Sequence, residues 1–448
     1  MDELDLRHPW SHSDRRIPSR IVRPLQEFLQ TSTSSALLLF GAVVTALLWA
    51  NLGGSYEAVW GATANIQLGD TVLGKDVRFW VNDGLMTIFF LLVGIEIKRE
   101  VTIGELRSPR AAALPAVAAL GGMVVPALLY VAVVGGGEGA EGWGIPMATD
   151  IALALGALAL AASHAPSNLK PLLLTLAIVD DIGAILVIAI FYTDGGDPTY
   201  VIVALAAIGA IVLLQRIHVR AVAAYVVVGA VLWYATYRAG VHPTIAGVVL
   251  GLLTPSEPFQ RPAAVSQEAR RTAEETVDDP VPPDVDAPSW LRLAWLSKEA
   301  VSPIARAEHA LLPLSSFVIV PMFALANAGL VLSWDTVRDA LSAPVAIGIF
   351  LGLVIGKPLG VALASGLSVR SGVATRPQGV GWLDLLGMGA TAGIGFTVAL
   401  FIAELAFDEV PELLDQAKVA ILAASAVALV AGQVVLRFGA STPARSEE

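Results

Sequence analysis

Long apolar segments are the feature that most constrains how this 448-residue chain can fold. A helix needs about 20 mostly apolar residues to cross a bilayer. Twelve segments meet or approach this length; the seventh is marginal and the eighth is short, so eleven spans would also fit. The candidate spans are residues 34–54, 77–97, 111–134, 143–163, 170–193, 200–217, 221–237, 242–254, 311–333, 342–369, 382–407 and 413–436. The sequence therefore predicts an all-α polytopic membrane protein with about 12 transmembrane helices.

The composition supports this class and excludes several others. Charged residues make up 15% of the chain, against roughly 25% in a typical soluble domain, and the mean hydropathy is +0.70. These values exclude an ordinary soluble globular protein, a disordered chain and a nucleic-acid-binding protein. The chain has no cysteine, which excludes disulfides, thiol catalysis, iron–sulfur clusters and cysteine-ligated zinc.

The distribution of Lys and Arg predicts the orientation of the spans, because cytoplasmic loops of membrane proteins are enriched in basic residues. We assume a cytoplasmic N-terminus and alternating spans. Of the 28 basic residues, 22 then fall on the cytoplasmic side and 5 outside, and Lys357 lies within a span. We expect a multi-pass protein of the cell membrane with both termini in the cytoplasm.

Polar segments divide the chain into two tails, two groups of spans and a linker. The parts are residues 1–33, 34–254, 255–305, 306–437 and 438–448. The basic N-terminal tail lacks a signal-peptide cleavage pattern. The linker is rich in Pro, Asp, Glu and Ala, which predicts a mostly disordered cytoplasmic segment, with a possible surface helix near Trp290–Trp295. The outer loop at 51–76 carries glycines and an alternating pattern that allow a short β-hairpin.

Two adjacent acids, Asp180 and Asp181, lie in the middle of the fifth span. An ionisable group at the bilayer centre costs about 2.5–3.5 kcal/mol on insertion scales and indicates a function by default. The two side chains lie about 100° apart around a helix, so both cannot face lipid. Because they repel each other when both ionise, at least one is expected to hold a proton near neutral pH. Carboxylate oxygens also suit hard cations, so a proton and a cation would compete for this pair. The alternative is a pair of buried acids satisfied by hydroxyl or backbone groups.

A second polar site interrupts the fourth span at Pro146, Thr149 and Asp150. Pro146 removes a backbone donor and disfavours helix at the preceding residue. The pattern predicts a broken helix with polar side chains at the break, where Asp150 would offset the positive end of the second half-helix. Asp150 is either a ligand or only the cap of that half-helix.

Lys357 is the third charged site and lies near the centre of the tenth span. A buried ammonium needs an acidic partner or must lose its proton. Asp180 or Asp181 is the natural partner. The alternative is that Lys357 snorkels to the nearer interface.

Span eleven is a second candidate broken helix, because five of its residues between Gly387 and Gly395 are Gly or Thr. Each glycine weakens a helix by close to 1 kcal/mol relative to Ala. Interrupted segments at matching places in two halves of a chain indicate a transporter binding site. Spans four and eleven each lie in the middle of a three-span set, and the loop charges predict that the two sets are inverted repeats.

Three further residues are candidates for pH sensing. Glu96 and Glu100 lie at the cytoplasmic mouth of span two, where interfacial anchoring with i,i+4 pairing fits equally well. His242, at the outer start of span eight, is of the residue type whose charge changes near physiological pH, although the position fits a hydrogen-bonded boundary histidine better. Glu404, near the outer end of span eleven, has no partner that the sequence identifies.

Seven motifs follow one another in order along roughly residues 34–437. They are NDGLM at 82–86, VGIEIKRE at 93–100, ATDIA at 148–152, VDDIGA at 179–184, FALANAG at 323–329, GKPLG at 356–360 and GIGFT at 393–397. These motifs resemble those of the NhaA-type sodium/proton antiporters. Together they are highly specific, although none would be alone.

The resemblance implies electrogenic exchange of Na⁺ or Li⁺ for protons, activated at alkaline pH, with crossing broken helices and no cofactor. It implies Asp181 as the main cation ligand, Asp180 as its partner acid and Lys357 as the partner of Asp180 in the ion-free state. Thr149 and Asp150 would support the crossing and the bound ion or proton, and Glu96 would belong to a pH-sensing cytoplasmic funnel. The family also implies a homodimer through the 51–76 hairpin. The long N-terminal tail and the 255–305 linker depart from the family pattern.

Two other functions fit parts of this pattern. A sodium-coupled solute symporter shares inverted repeats and broken helices. An intramembrane aspartyl protease would use Asp150 and Asp180 as a general acid/base dyad. Against the protease, the second acid is doubled, and Lys357 would quench a dyad.

Overall fold

The computed structural model describes residues 32–68, 71–161, 166–193, 195–278 and 283–440. Most of the predicted N-terminal tail (1–33) and C-terminal tail (438–448) therefore lies outside the described residues. Nearly all of the described secondary structure is helical. In chain order, the helices are α1 (Ser32–Leu52), α2 (Tyr56–Trp60), α3 (Val77–Thr102), α4 (Pro109–Val134), α5 (Ile151–Leu160), α6 (Leu169–Phe191), α7 (Pro198–Arg216), α8 (Val222–Arg238), α9 (Thr244–Leu253), α10 (Pro262–Asp278), α11 (Pro283–Glu299), α12 (Pro303–Asn327), α13 (Trp334–Ser342), α14 (Pro344–Arg370), α15 (Trp382–Ala392), α16 (Phe396–Ala406) and α17 (Pro411–Ala440).

Eight of the described helices are long and apolar enough to cross a membrane, and up to ten spans result when each of two bent helix pairs counts as one. The prediction of a mostly helical, multi-pass membrane protein is confirmed at this level. The eight long helices are α1, α3, α4, α6, α7, α12, α14 and α17. The shorter apolar helices α8 and α9 lie where the sequence predicts spans seven and eight.

The predicted hairpin is present in the outer loop. Strand β1 (Thr63–Leu68) pairs antiparallel with β2 (Thr71–Asp76), with Thr63 opposite Asp76. Within the described part of the chain these two strands form the whole sheet. A two-stranded sheet is marginal by itself in water, and the indole of Trp80 donates a 2.9 Å hydrogen bond to the Ala64 carbonyl beside it.

The chain divides into two compact units. The first unit comprises Met1–Leu85, Arg110–Tyr192 and Ser315–Glu448, and the second comprises Met86–Pro109 and Thr193–Leu314. A buried apolar cluster fills the first unit, with side chains from α4, α5, α6, α14, α15 and α17. The long helices α3, α12 and α14 each contain a π-helical turn, at Trp80–Leu85, Ser315–Ile319 and Gly352–Gly356 respectively. Such turns leave backbone groups outside the regular ladder and are frequent at functional sites.

Within 255–305 the structure differs from the expected mostly disordered linker, because it contains α10 and α11. Val265 and Thr272 are buried one above the other on α10, two turns apart. Glu268 on α10 lies 3.6 Å from Arg292 on α11. The average composition of the linker predicts disorder because few of its residues are apolar. Two helices can nevertheless pack on each other when each has apolar residues at helical spacing along one face. Trp290–Trp295 lies on α11, as the sequence allows.

Buried charge fixes the end of α11 in the second unit. The Glu299 carboxylate is 5% exposed, and Arg220 and Arg306 lie 2.5 and 3.4 Å from it. The backbone carbonyl of Glu299 also accepts a 3.0 Å bond from the Gln260 amide. A buried carboxylate is tolerated when it is paired in this way.

Helices α3 and α9 of the second unit pack through glycines. A Cβ atom at Gly251 would lie 2.5 Å from the Leu91 carbonyl oxygen and 2.7 Å from Gly94 Cα, closer than real Cβ contacts. Small residues let helix backbones approach closely. This matters in membranes, where van der Waals packing rather than the hydrophobic effect drives the association of helices. This contact explains how the short helix α9 packs closely against the long helix α3.

We predict that Gly251→Ala lowers the melting temperature of the purified protein, because overpacking forces backbone shifts that cost about 1–3 kcal/mol. Gly209→Ala is the matched control on helix α7, since no atom lies within 4 Å of a Cβ placed there. The control is expected to be neutral or slightly stabilising. Equal melting temperatures for the two variants would contradict the close packing.

Candidate functional site

The first broken helix brings two polar side chains to its break. A 3₁₀ helix over Ala140–Met147 ends at Ala148, which is extended, and α5 begins at Ile151 after a bend of 41°. The carboxylate of Asp150 accepts a 3.0 Å hydrogen bond from the Leu153 amide and so caps α5. The break follows Pro146 closely, as its missing N–H group predicts.

The second broken helix consists of α15 and α16, which meet at an angle of 48°. Its break is Gly393-Ile394-Gly395, within the glycine-rich stretch. Gly395 allows the close approach of the other break, because a Cβ there would lie 3.3 Å from the Ala148 carbonyl oxygen. Both predicted breaks are therefore present.

The two breaks meet inside the first unit and satisfy each other's backbone groups. The Asp150 amide donates a 2.7 Å hydrogen bond to the Ile394 carbonyl. The hydroxyl of Thr397 donates a 2.6 Å bond to Asp150 Oδ2, and the Thr397 amide donates a longer bond of 3.2 Å to the same oxygen. Asp150 and Thr397 are almost completely buried. Unpaired backbone groups cost several kcal/mol in lipid, so each break depends on the other.

Lys357 and Asp180 form a fully buried ion pair beside the crossing. The ammonium Nζ lies 2.9 Å from Asp180 Oδ2, and both side chains have 0% exposure. Lys357 also donates a hydrogen bond to the Met147 carbonyl at the end of the 3₁₀ helix. The ammonium does not snorkel to an interface. It links α14, through its π-helical turn, to both α6 and the first break.

Thr149 lies between the acid and the second break. Its Oγ1 is 2.7 Å from Asp180 Oδ2 and 3.0 Å from the Ala392 carbonyl oxygen. A hydroxyl has one hydrogen to donate, so it serves one acceptor at a time. Rotation of the Thr149 hydroxyl about its Cβ–Oγ1 bond would change the number of hydrogen bonds that Asp180 accepts, and no helix would have to move.

The arrangement holds several oxygen atoms with unequal numbers of partners. Asp180 Oδ2 lies within hydrogen-bond distance of two donors, Lys357 Nζ and Thr149 Oγ1, whereas Asp180 Oδ1 is buried and has no hydrogen-bond partner among the described residues. Asp181 follows on α6 and is 5% exposed. A small hard cation takes such oxygen ligands, and a proton on either acid would remove its charge. Oxygen atoms of this kind suit either a proton or a small cation.

In the described ranges, no group of three or more His, Asp or Glu side chains could hold a metal ion. The carboxylates of Asp150 and Asp180 also face different sets of donors, Leu153 and Thr397 for one and Lys357 and Thr149 for the other. A protease dyad requires two acids that share a proton, and these donor sets do not favour that alternative.

The three pH-sensing candidates belong to the second unit. Glu100 is buried, and its Oε1 accepts a 2.8 Å bond from the Glu105 amide, so that it closes the turn after α3. Glu96 lies one turn earlier on α3, and the neighbouring Arg99 forms an ion pair with Glu308. His242 Nδ1 lies 2.8 Å from Thr244 Oγ1 at the start of α9.

Sequence reasoning missed several groups of the site. Thr397 is part of the GIGFT motif, but its position after the glycines gave no sign that it would bond to Asp150. The carbonyls of Met147, Ala392 and Ile394 are invisible to sequence reasoning, because every residue carries one.

Two partners of polar residues also emerge only from the structure. Glu404 pairs with Lys418 of α17 at 2.8 Å, which supplies the partner that the sequence left open. Asn82 and Asn327 exchange amide hydrogen bonds of 3.1 and 2.7 Å. Both contacts lie within the first unit.

Comparison with known proteins identifies the family. A family model described as Na⁺/H⁺ antiporter 1 matches residues 26–436. The Na⁺/H⁺ antiporter NhaA of Oleidesulfovibrio alaskensis is 46% identical over 426 residues, which cover 93% of this chain and 94% of the relative. NhaA 2 of Sorangium cellulosum is 44% identical over 432 residues, covering 94% and 92%. NhaA of Rhodopirellula baltica is 42% identical over 444 residues, covering 97% and 100%. The chain therefore belongs to the Na⁺/H⁺ antiporter family, whose members are secondary transporters and not enzymes.

Proposed function

We propose that this protein exchanges cytoplasmic Na⁺ or Li⁺ for external protons across the cell membrane, without a cofactor. The observation that carries the proposal is the buried pair of Asp180 and Lys357 beside two crossing helix breaks. Charged groups at such a depth indicate an ion pathway by default, and the family membership supports the identity of the ions.

One site with two exclusive occupants accounts for the exchange. At high cytoplasmic pH the acids ionise, and Asp181 and Asp180 take the cation, with Thr149 and Asp150 in support. Lys357 then leaves Asp180 Oδ2 but keeps the Met147 carbonyl as an acceptor. When the site faces outward, protons displace the cation and the ion pair of Lys357 with Asp180 forms again.

The exchange is expected to move net charge. Three acids and one ammonium lie on the polypeptide segments that build the site, so more than one proton can be taken up for each cation that is released. Unequal charge in the two directions makes the transport electrogenic, so the membrane potential would drive it.

The helices support a topology of 12 spans. Eight long helices, two bent pairs and the shorter α8 and α9 each correspond to one predicted span. An even number of spans puts both termini on one side, and the excess of Lys and Arg makes that side cytoplasmic. Helix α4, the first broken helix and α6 would form one repeat, and α14, the second broken helix and α17 the inverted one. Opening would be the rocking of one bundle around the fixed site.

Regulation by pH is assigned to Glu96, Glu100 and His242 of the second unit. The Glu100 side chain holds the Glu105 amide at 2.8 Å, and His242 Nδ1 lies 2.8 Å from Thr244 Oγ1. The first contact lies at the end of α3 and the second at the start of α9, and these two helices pack together. The long linker at 255–305 is expected to stay on the cytoplasmic side.

Dimerisation through the hairpin is part of the proposal. Within the described residues the outer edges of β1 and β2 have no neighbouring strand, and the Trp80 indole donates to the Ala64 carbonyl of β1. Edges without a neighbouring strand are where a further strand can add. Strand addition by a second copy would pair one edge, which would make the small sheet more stable than it is alone.

We predict that Asp181→Asn abolishes exchange, because the amide cannot supply the negative charge that holds the cation. In proteoliposomes with an acidic interior, Na⁺ added alone should dequench a trapped pH dye for the unmodified protein. Asp197→Asn is the matched control: Asp197 is an exposed cap whose bond from the Thr199 amide holds the pKa of its carboxyl below the usual value, and Asn caps helices equally well.

Two outcomes would contradict this assignment. Normal Na⁺-driven proton flux by Asp181→Asn would remove Asp181 from the site. A response of the unmodified protein that needs an organic solute as well as Na⁺ would favour the symporter.

We predict that Lys357→Ala lowers the melting temperature markedly, since removing one partner of a buried ion pair costs about 3–5 kcal/mol. Adding Asp180→Asn to Lys357→Ala should recover part of the loss, because the double variant buries no uncompensated charge. Melting curves of the two variants and of the unmodified protein measure both effects. A double variant less stable than Lys357→Ala would argue against the ion pair as the main interaction of Lys357.

We predict that Thr397→Val slows Na⁺/H⁺ exchange and lowers the free energy of unfolding by about 1.5–3 kcal/mol, the usual contribution of a hydrogen bond to a charged group. Val keeps the shape but removes the hydroxyl that donates to Asp150. Thr397→Ser keeps the donor and should behave like the unmodified protein. If Val and Ser give the same rate and stability, the hydroxyl has no role at the crossing.

A further inference from the structure

A shallow groove lies on the surface of the first unit, between the second half of α14 and the start of α15. Its volume is about 470 Å³. Apolar side chains and one glycine form most of its lining, and Arg370 and Trp382 lie at one end. The lining residues are Ala362, Leu363, Gly366, Leu367, Val369, Arg370 and Trp382. No step of the proposed ion exchange uses this groove.

The apolar part of the groove faces the region that lipid fills. Leu359, Leu363 and Leu367 are spaced by four residues along α14, so they form one stripe on its surface, and they are 44%, 58% and 68% exposed. The helix belongs to the long apolar spans. With a rise of 1.5 Å per residue the stripe is about 12 Å long. Exposed leucines on a membrane span contact acyl chains.

The end of the groove is basic. Arg370 follows Leu367 by about one turn and is exposed. Arg376 lies in the loop before α15, and its guanidinium carbon is 5.3 Å from the centre of the Trp382 ring. The loop from Ser371 to Gly381 contains no acidic residue. Two arginines beside an aromatic ring at the end of a span are suited to a phosphate group at the membrane interface.

We propose that this groove binds one anionic phospholipid of the cytoplasmic leaflet. Its phosphate contacts Arg370 and Arg376, its glycerol region lies against Trp382, and an acyl chain follows the stripe past Gly366. The order of apolar side chains, aromatic ring and positive charge along the groove matches the order of chain, interface and headgroup in the lipid. Only the choice of leaflet rests on the proposed orientation; the binding itself does not depend on ion exchange.

The location gives this lipid a consequence for the site. Helix α14 carries Lys357, and α15 is the first half of the second broken helix. A lipid in the groove contacts both helices at the ends far from the crossing. It would hold the start of α15 against α14 and so favour one arrangement of the broken helix.

Gly366 offers a substitution that fills the groove without disturbing the helix packing. The nearest atom to a Cβ at Gly366 is Trp382 Cζ3, at 3.9 Å, an ordinary contact distance. Gly366→Leu should therefore fold and occupy the path of the acyl chain. Gly41→Leu is the matched control on the apolar helix α1, where a Cβ meets no atom within 4 Å.

The absence of cysteine from the chain allows a single label beside the groove. Val373 is 62% exposed and lies three residues beyond Arg370. A fluorophore on Val373→Cys is quenched by phosphatidylglycerol or phosphatidylcholine that carries the same nitroxide-labelled chain, in vesicles of either composition. The ratio of the two quenching constants gives the preference for the anionic lipid. This readout needs no transport, so a failure of the proposed exchange would not affect it.

We expect phosphatidylglycerol to be preferred in the Val373→Cys protein and in the Gly41→Leu control. Gly366→Leu should bring the ratio close to one. Arg370→Gln and Arg376→Gln should each reduce it by about fivefold, the factor for about 1 kcal/mol per basic residue near an anionic surface. A ratio near one in the Val373→Cys protein itself, or a ratio unchanged by all three substitutions, would overturn the proposal.

Discussion

The mutual hydrogen bonding of two interrupted helices is the constraint on which the rest of the first unit depends. A helix broken inside a bilayer exposes amides and carbonyls that lipid cannot satisfy. Here the Asp150 amide bonds to the Ile394 carbonyl, and Thr397 bonds to the Asp150 carboxylate. Neither break is stable without the other. The polar groups that result are fixed in place, which is what a cation site requires.

The ion pair of Lys357 with Asp180 is stable only because of that crossing. Burial of two charges costs more than their attraction returns unless further hydrogen bonds complete the site. Thr149 and the Met147 carbonyl supply those bonds, and both come from the first break. The positions of the ammonium and of the crossing are therefore coupled. In an antiporter, a change in the charge of this pair would directly change the forces on the two broken helices.

Different interactions stabilise the second unit. Its helices α3 and α9 pack through glycines, and its charged residues satisfy one another near the ends of helices, as Arg220, Glu299 and Arg306 do. These pairs hold the end of α11 to Arg220, just before α8, and to Arg306 on α12. The groove beside α15 in the first unit adds a third kind of interaction, in which a membrane lipid takes the place of a protein neighbour.

The sequence by itself determined that the protein is a mostly helical membrane protein, and it indicated two helix breaks and four charged residues within apolar segments. Apolar length, proline and glycine act locally, so they predict helices and breaks such as those at Pro146 and Gly393. The sequence could not determine which atoms come into contact. Lys357 had two possible acidic partners, and only the fold shows that its ammonium lies beside Asp180.

The role of Thr397, the partner of Glu404 and the helices of the linker were decided only by the tertiary structure. Contacts across more than two hundred residues depend on how helices cross, and backbone carbonyls such as that of Met147 leave no mark in a sequence. Average composition was also a poor guide to the linker. It predicted disorder, whereas one packed face on each of α10 and α11 was enough to form two helices. The sequence identifies the polar and charged groups that cannot face lipid. Only the fold decides which groups become their hydrogen-bond and ion-pair partners.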